Sequence, residues 1–201
     1  MDLAVAFVGL CVTAPVWAAV AVAIRLTSGP GILHRGDRLG KNGRIFGMYK
    51  FRTMAIGSHL AGSRVTGAND PRVTPVGRLL RRWKLDELPQ LVNVVRGDMS
   101  LVGPRPEDPR YLPDYAPNQM EVLSVRPGIT GPTQIAYRHE EALLRGPDVE
   151  GDYRTKLLPA KLDMDLSYIR TASLSTDVRL ILATLIGLYT PTLPPGITST
   201  G

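Results

Sequence analysis

The sequence predicts an α+β fold, mainly helical with a small strand element, joined to an apolar N-terminal helix. Three observations carry this expectation. Residues 3–24 contain no charge. Residues 76–85, 88–95, 157–169 and 174–189 read as helices. Residues 44–51 read as a strand or hairpin. At 201 residues the chain has room for one domain of ordinary size plus appendages.

The first helix is long enough to enter a membrane. Its 22 residues, at ~1.5 Å each, match ~30 Å of hydrocarbon. Pro15 lies near its middle and predicts a kink, because proline removes a hydrogen bond and crowds the preceding turn. Arg25, Arg35, Arg38, Lys41 and Arg44 follow the run and no basic residue precedes it, which places its C-terminal side in the cytoplasm. The same asymmetry argues against a cleaved signal peptide. A straight span and a hairpin re-entering at Pro15 both fit these residues. A turn cluster at 27–31 ends the segment.

Formal charge is +6, concentrated in one half of the chain. Residues 25–110 hold 16 Lys/Arg against 7 Asp/Glu, whereas residues 111–201 hold 8 against 10. A basic half implies an anionic partner, whether nucleic acid, anionic lipid or a phosphorylated substrate. The apolar N-terminus, and the lack of helix-turn-helix, zinc or aromatic-ladder patterns, argue against nucleic acid. Cys11 is the sole cysteine, which excludes an intramolecular disulfide and a cysteine-rich zinc site. His34, His59 and His139 have no ligand spacing.

In residues 44–51 and just beyond, Lys50 and Arg52 flank Phe51. In an extended chain, i and i+2 share a face, so both cations can meet one phosphate; an exposed basic strand edge is the plain alternative. Glycines 36, 40, 43 and 47 lack phosphate-loop spacing, and Lys41 is followed by Asn42 rather than Ser or Thr. Residues 76–85 put Val76, Leu79, Leu80 and Trp83 on one helical face and Arg78, Arg81, Arg82 and Lys84 on the remainder. Such a helix suits a lipid interface or, equally, a core with a solvated basic side.

That helix runs into Lys84-Leu-Asp-Glu-Leu-Pro-Gln-Leu, and Leu88, Leu91, Val92 and Val95 form the next apolar face. Asp86 reads as its N-cap, Glu87 as its first turn and Gly97 as its stop. A helix N-terminus attracts phosphate, and two carboxylates there would repel it unless a divalent cation lies between them. The pair is therefore either ordinary helix punctuation or a metal-assisted phosphoryl site. Arg105, held between Pro104 and Pro106, is presented stiffly enough to clamp a phosphate bidentately. Residues 126–132, Arg-Pro-Gly-Ile-Thr-Gly-Pro, form a second stiff turn of this kind or a plain connector. Asp163, Asp165 and Asp177 read as solvated helix positions, and Tyr168 as a residue lining the substrate pocket. The run 180–188 is too short to span and reads as core or interfacial.

Asp-Glu-Leu-Pro-Gln-Leu (86–91), Arg-Gly-Asp-Met-Ser-Leu-Val-Gly-Pro-Arg-Pro-Glu (96–107) and Arg-Pro-Gly-Ile-Thr-Gly (126–131) together resemble the bacterial sugar transferase family. The likeness extends to Leu-Gly-Lys-Asn-Gly-Arg (39–44), Tyr-Lys-Phe-Arg-Thr-Met (49–54) and Asn-Asp-Pro-Arg-Val-Thr (69–74), and covers roughly residues 2–135. These are monotopic phosphoglycosyl transferases. The chain departs from the family in reading Ala14-Pro15 where a serine usually precedes the proline, and in its residues after Gln134.

The resemblance implies a re-entrant membrane helix broken at Pro15 (residues 1–26) and a catalytic domain (27–189); residues 190–201, rich in Pro, Thr and Gly, read as a flexible tail. It implies transfer of a sugar-1-phosphate from a UDP-sugar to undecaprenyl phosphate, with release of UMP, in the initiation of bacterial glycan assembly. Asp86 would be the nucleophile, with Glu87 and Asp86 holding Mg²⁺ and Lys50, Arg52, Arg81, Arg105 and Arg126 contacting substrate. It implies a bacterial inner membrane location with the catalytic face in the cytoplasm, membrane lipids as partners, no nucleic acid, and a homo-oligomer as one possible state. A tethered, non-catalytic scaffold of a polysaccharide assembly complex is the alternative.

Overall fold

A computed structural model of the chain describes residues 2–58, 70–138, 140, 143–144 and 148–187. The first helix, α1 (Asp2–Ser28), takes up the whole apolar run and a further turn. Ala6, Val20 and Ile24 are buried, and with the half-buried Asp2, Gly9, Thr13 and Trp17 they recur every three to four residues. This stripe packs on the rest of the molecule, while Leu3, Phe7, Val12 and Leu26 are at least 61% exposed. α1 is helical on both sides of Pro15, the position where the kink is expected. Proline deletes a single N–H, and here the flanking turns on both sides are held against the same body. Gly9 lies against Leu91, and Trp17 packs edge-on to Phe51 with ring centroids 5.1 Å apart.

After α1 comes a hairpin of β1 (Leu33–Leu39) and β2 (Ile45–Phe51), antiparallel from Leu33↔Phe51 to Leu39↔Ile45. The strand expected at 44–51 is therefore β2, and its partner is an addition to the expected elements. Next come α2 (Pro75–Arg82), a 3-10 turn (Leu85–Glu87) and α3 (Gln90–Val95). Thr74 caps α2, its hydroxyl accepting from the Gly77 N–H at 2.9 Å. Gly77 is needed for contact: a Cβ there would lie 2.1 Å from the Thr53 carbonyl oxygen. That contact fixes α2 against the chain leaving β2.

Asn93 ties α3 to the free edge of β2. Its side chain accepts from Tyr49 N at 3.0 Å and donates to Gly47 O at 2.9 Å, as a third strand would. It is fully buried, so both bonds replace water that cannot enter.

Two short strands, β3 (Ser100–Val102) and β4 (Gly128–Thr130), pair in parallel. They approach closely at Gly128, where a Cβ would meet Gly103 N at 2.1 Å. The chain continues through α4 (Pro132–Ala136) and α5 (Val149–Asp152), then a π-helical turn (Tyr153–Leu157) leading into α6 (Leu158–Thr171), and the described residues close with α7 (Leu174–Gly187). The helix expected at 157–169 is α6. The expected tail at 190–201 and the end of the last helix lie outside the described residues, as do His59 and His139.

Among the described residues the core forms three clusters. Ala6, Phe46, Met48, Val94, Met99, Leu101 and Val102 join α1, the hairpin, α3 and β3. Val20, Ile24, Phe51 and Leu80 join the other half of α1 to β2 and α2. Tyr111, Val122, Leu144, Tyr153, Leu158, Leu162 and Leu166 form the third around α6.

Candidate active site

Asp86 and Glu87 lie where α2 turns towards α3. Lys84 makes that turn in the left-handed conformation, φ 55°, uncommon for a residue with a Cβ. Asp86 is not a helix cap, contrary to the expectation from sequence. It sits inside the 3-10 turn, and no side chain caps that turn. The chain closes a 3-10 turn over Leu85–Glu87 before the α-helix begins. Leu88 N bonds the Leu85 carbonyl in this tighter register, at 3.3 Å, and α3 starts after Pro89.

This geometry buries Asp86 to 6% exposure and leaves its Oδ1 with no hydrogen-bond partner. Burial, then the neighbouring Glu87 carboxylate, push the Asp86 carboxyl above its ordinary range, against the pull of Lys50, Lys84 and Arg81. Glu87 behaves oppositely. Burial alone would raise it, but Lys50, Lys84 and Arg105 together hold it well below the usual carboxylate range. Lys50 Nζ donates to Glu87 Oε1 at 3.1 Å. The two carboxylates therefore divide: Glu87 is charged and paired, Asp86 is buried with an open oxygen.

Cations surround them. Lys50 arrives on β2, and Arg81 comes one turn after Gly77, its Nε donating to Thr53 Oγ1 at 2.9 Å. Arg105 follows β3, with its backbone N–H donating to Asp165 Oδ2 at 3.0 Å. Its guanidinium lies 3.9 Å from Glu140 Oε1 and also feels Glu87. Lys84 acts on both carboxylates, and Arg138 acts on Glu87. Neither Lys84 nor Arg138 was among the residues singled out from sequence, where Lys84 read as one of several cations on a helix face.

Two expected substrate contacts stand apart. Arg52 is a correction: β2 ends at Phe51, so the shared face with Lys50 does not extend to it. Its guanidinium instead donates to the carbonyls of Ser28 at 2.7 Å and Gly29 at 3.0 Å, and to that of Pro30. It closes the C-terminal end of α1, whose last carbonyls lack helical partners. Arg126 is exposed and lines a cavity of about 390 Å³ with Lys41, Ser100 and Tyr168, a lining that includes none of Asp86, Glu87, Lys50 or Arg105. Tyr168, expected at the substrate pocket, lines this separate cavity, and its hydroxyl donates to Asp177 Oδ1 at 2.6 Å.

Asp165 is a further correction, being 2% exposed rather than solvated. It accepts from the Arg105 N–H and from Thr133 Oγ1. The signal was present: Leu158, Leu162 and Leu166 repeat every four residues, and Lys161 and Asp165 fill the positions between them on the same buried stripe. Asp163 also has a partner, accepting from Gln119 Nε2 at 2.7 Å. Burial pushes the Asp165 carboxyl up to about 7, despite the opposing bonds from Arg105 and Thr133. The folded state therefore binds this proton more tightly than the unfolded chain does. Stability from Asp165 is complete below pH ~4 and is lost as pH rises through ~7. Asp165→Asn should gain stability over the parent as pH rises from 4 to 8, by about 4 kcal/mol at most. Thermal melts of both proteins across that range check this; a constant difference would show that Asp165 does not titrate there.

A family model described as bacterial sugar transferase matches residues 1–190. Among curated proteins, the chain is 35% identical over 193 residues to a UDP-N-acetylgalactosamine-undecaprenyl-phosphate N-acetylgalactosaminephosphotransferase of Aeromonas hydrophila, covering 94% of this chain and 43% of that one. It is 39% identical to an undecaprenyl-phosphate glucose phosphotransferase of Komagataeibacter xylinus, over 92% of this chain and 34% of that one. A UDP-glucose:undecaprenyl-phosphate glucose-1-phosphate transferase of Caulobacter vibrioides is 38% identical, over 94% and 68% respectively. The chain thus spans less than half the length of the first two relatives.

Proposed function

Because this chain belongs to the bacterial sugar transferase family, we propose that it transfers a sugar-1-phosphate from a UDP-sugar to undecaprenyl phosphate at a membrane surface. The observation that carries this reading is the Asp86 carboxylate, buried, with an open Oδ1, among Lys50, Lys84 and Arg81. A carboxylate so placed suits attack on phosphorus. Asp86 would form a bond to the phosphorus bearing the sugar, and the bridging P–O bond would break, with its electron pair leaving on UMP. An oxygen of undecaprenyl phosphate would then attack the same phosphorus and release Asp86, giving a diphosphate-linked sugar lipid.

Lys50 pairs Glu87 and keeps it ionised beside the reacting centre. Arg105 and Lys84 offer charge to the diphosphate oxygens. Mg²⁺ fits the donor set, because Asp86 Oδ1 is an open hard oxygen beside a second carboxylate, and this ion needs few protein ligands when a substrate supplies phosphate oxygens. Asp86 and Glu87 would hold it, and when bound it would neutralise charge on the transferring phosphate.

The placement of α1 supports a monotopic attachment. Its first residue, Asp2, accepts from Ser100 Oγ, and its last turn is closed by Arg52. Both ends thus rest on one body, whereas a helix crossing ~30 Å of hydrocarbon would carry one end away. Leu79 and Trp83, both exposed beside Arg82, give α2 and the residue after it a face suited to the same interface. A cytoplasmic face of the inner membrane accords with the basic residues after α1.

The test uses the purified chain with Mg²⁺ and a panel of UDP-sugars, first without acceptor. The accepted donor should release at most one UMP per protein and add one sugar-phosphate to its mass, and undecaprenyl phosphate should then start turnover. Turnover with acceptor but no added mass without it would overturn the covalent route. Failure of every donor to release UMP in either condition would overturn the reaction itself.

A further inference from the structure

Behind Arg105 lies a buried charge network. Lys161, 1% exposed, holds Glu107 Oε1 at 2.8 Å and Glu140 Oε2 at 3.1 Å. It also donates to Tyr153 Oη at 2.8 Å, and Tyr153 donates to Glu107 Oε2 at 2.6 Å. Tyr153 and Lys161 are eight residues apart and would sit roughly 80° apart around an unbroken α-helix. The π-helical turn at Tyr153–Leu157 carries extra residues per turn, which brings both to one face. Such turns weaken a helix locally and are often found at functional sites.

The distances rank the pairs. Glu140 is at hydrogen-bonding distance from Lys161, yet its other oxygen stands 3.9 Å from the Arg105 guanidinium, with no hydrogen bond between them. A guanidinium and a carboxylate ordinarily close to a shorter, two-bond contact. Arg105 is thus held near Glu140 without being consumed by it. We propose that Lys161 is a positioning residue for Arg105: by engaging Glu107 and Glu140 it keeps Glu140 from capturing the guanidinium, which stays available to the donor's diphosphate. This rests on the reading of Arg105 as a donor contact. The charge of Glu140 then sets donor affinity, although Glu140 need touch no substrate.

The test is steady-state kinetics on the full chain with UDP-sugar varied and undecaprenyl phosphate saturating. Glu140→Gln should lower the donor KM about three- to tenfold, because the competitor for Arg105 loses its charge. Lys161→Met should raise it about tenfold, and adding Glu140→Gln should bring it back to within about twofold of the parent. A merely structural role would give no such rescue. If Lys161→Met does not fold, Glu140→Gln alone decides: an unchanged or raised donor KM overturns the proposal. Arg105→Lys, assayed alongside, separates the two layers. No effect of Arg105→Lys on donor kinetics overturns the underlying reading and the proposal with it. A loss there with an unchanged KM in Glu140→Gln overturns the positioning role alone.

Discussion

Asp86→Asn should abolish turnover and at the same time make the folded chain more stable at neutral pH. The first effect follows from chemistry. A carboxamide cannot form the phosphoryl bond, and loss of a covalent nucleophile ordinarily lowers kcat by about 10⁴-fold or more. The second follows from burial. The Asp86 carboxyl is raised above its ordinary range by desolvation and by Glu87, so the folded state holds the proton more tightly than the unfolded chain does. Stability from this group is complete below the ordinary carboxylate pKa and is lost as pH rises through the folded value. An asparagine carries no charge, so its advantage over the parent should widen as pH rises through that window. Because the Asp86 side chain caps nothing, Asp86→Ala removes no cap and serves as a second control. Thermal melts at a series of pH values, with UMP release measured alongside, check both parts. Retained turnover in a folded Asp86→Asn chain would sink the covalent assignment and leave Glu87 or direct in-line transfer. An unchanged stability difference across pH would sink the account of its burial.

The same residue shows what a sequence can and cannot convey. The adjacency of Asp86 and Glu87, the stiff presentation of Arg105 and the basic strand residue Lys50 were all legible, because each rests on local chemistry. The precise backbone was not. Asp before a helical apolar run is the ordinary signal for a cap, and it failed because a 3-10 turn over Leu85–Glu87 comes first and α3 starts only at Gln90. Lys84 escaped notice for a related reason. Its left-handed backbone, φ 55°, has no sequence signature in a lysine.

The strand at Leu33–Leu39 was missed because it does not alternate. Four of its seven residues are exposed, and its sequence, Leu-His-Arg-Gly-Asp-Arg-Leu, carries no apolar face. It becomes a strand by pairing with β2, which is a tertiary event. Arg52 was misjudged by extending the i, i+2 rule one residue past the end of β2. The carbonyls it closes, those of Ser28, Gly29 and Pro30, lie more than twenty residues earlier.

The charged core was the largest omission. Charged residues on a helix are usually solvated, and pattern reading rightly favours that. Lys161 overrides it with partners supplied by Glu107 and Glu140, 54 and 21 residues away in sequence. Burial of this kind becomes stable when all members are present. Removing one leaves an uncompensated charge, at a cost of about 3–5 kcal/mol. The position of this network behind Arg105 ties the packing of α6 to the electrostatics of the site.

Arg105→Lys is the substitution that reads those electrostatics directly, and it should lower kcat/KM for the donor roughly tenfold to a hundredfold while charge is conserved. Arg105 is fixed at three points. Pro104 and Pro106 restrict its backbone, and its N–H is held by Asp165 Oδ2 at 3.0 Å. Its guanidinium faces Glu140, Glu87 and Glu107, which together raise its affinity for the proton despite burial, so it is a permanent cation. A lysine ammonium would keep that charge but lose the planar fork that meets two phosphate oxygens at once. One charge-assisted contact of this kind is worth about 1.5–3 kcal/mol, which sets the expected range. The fold should tolerate the change, because the backbone bond to Asp165 does not depend on the side chain. The loss should fall on donor loading, read as the rate of the first UMP released without acceptor, with little change in acceptor KM. Equal losses in both half-reactions would place Arg105 on the phosphate common to them, and unchanged loading would remove it from the site.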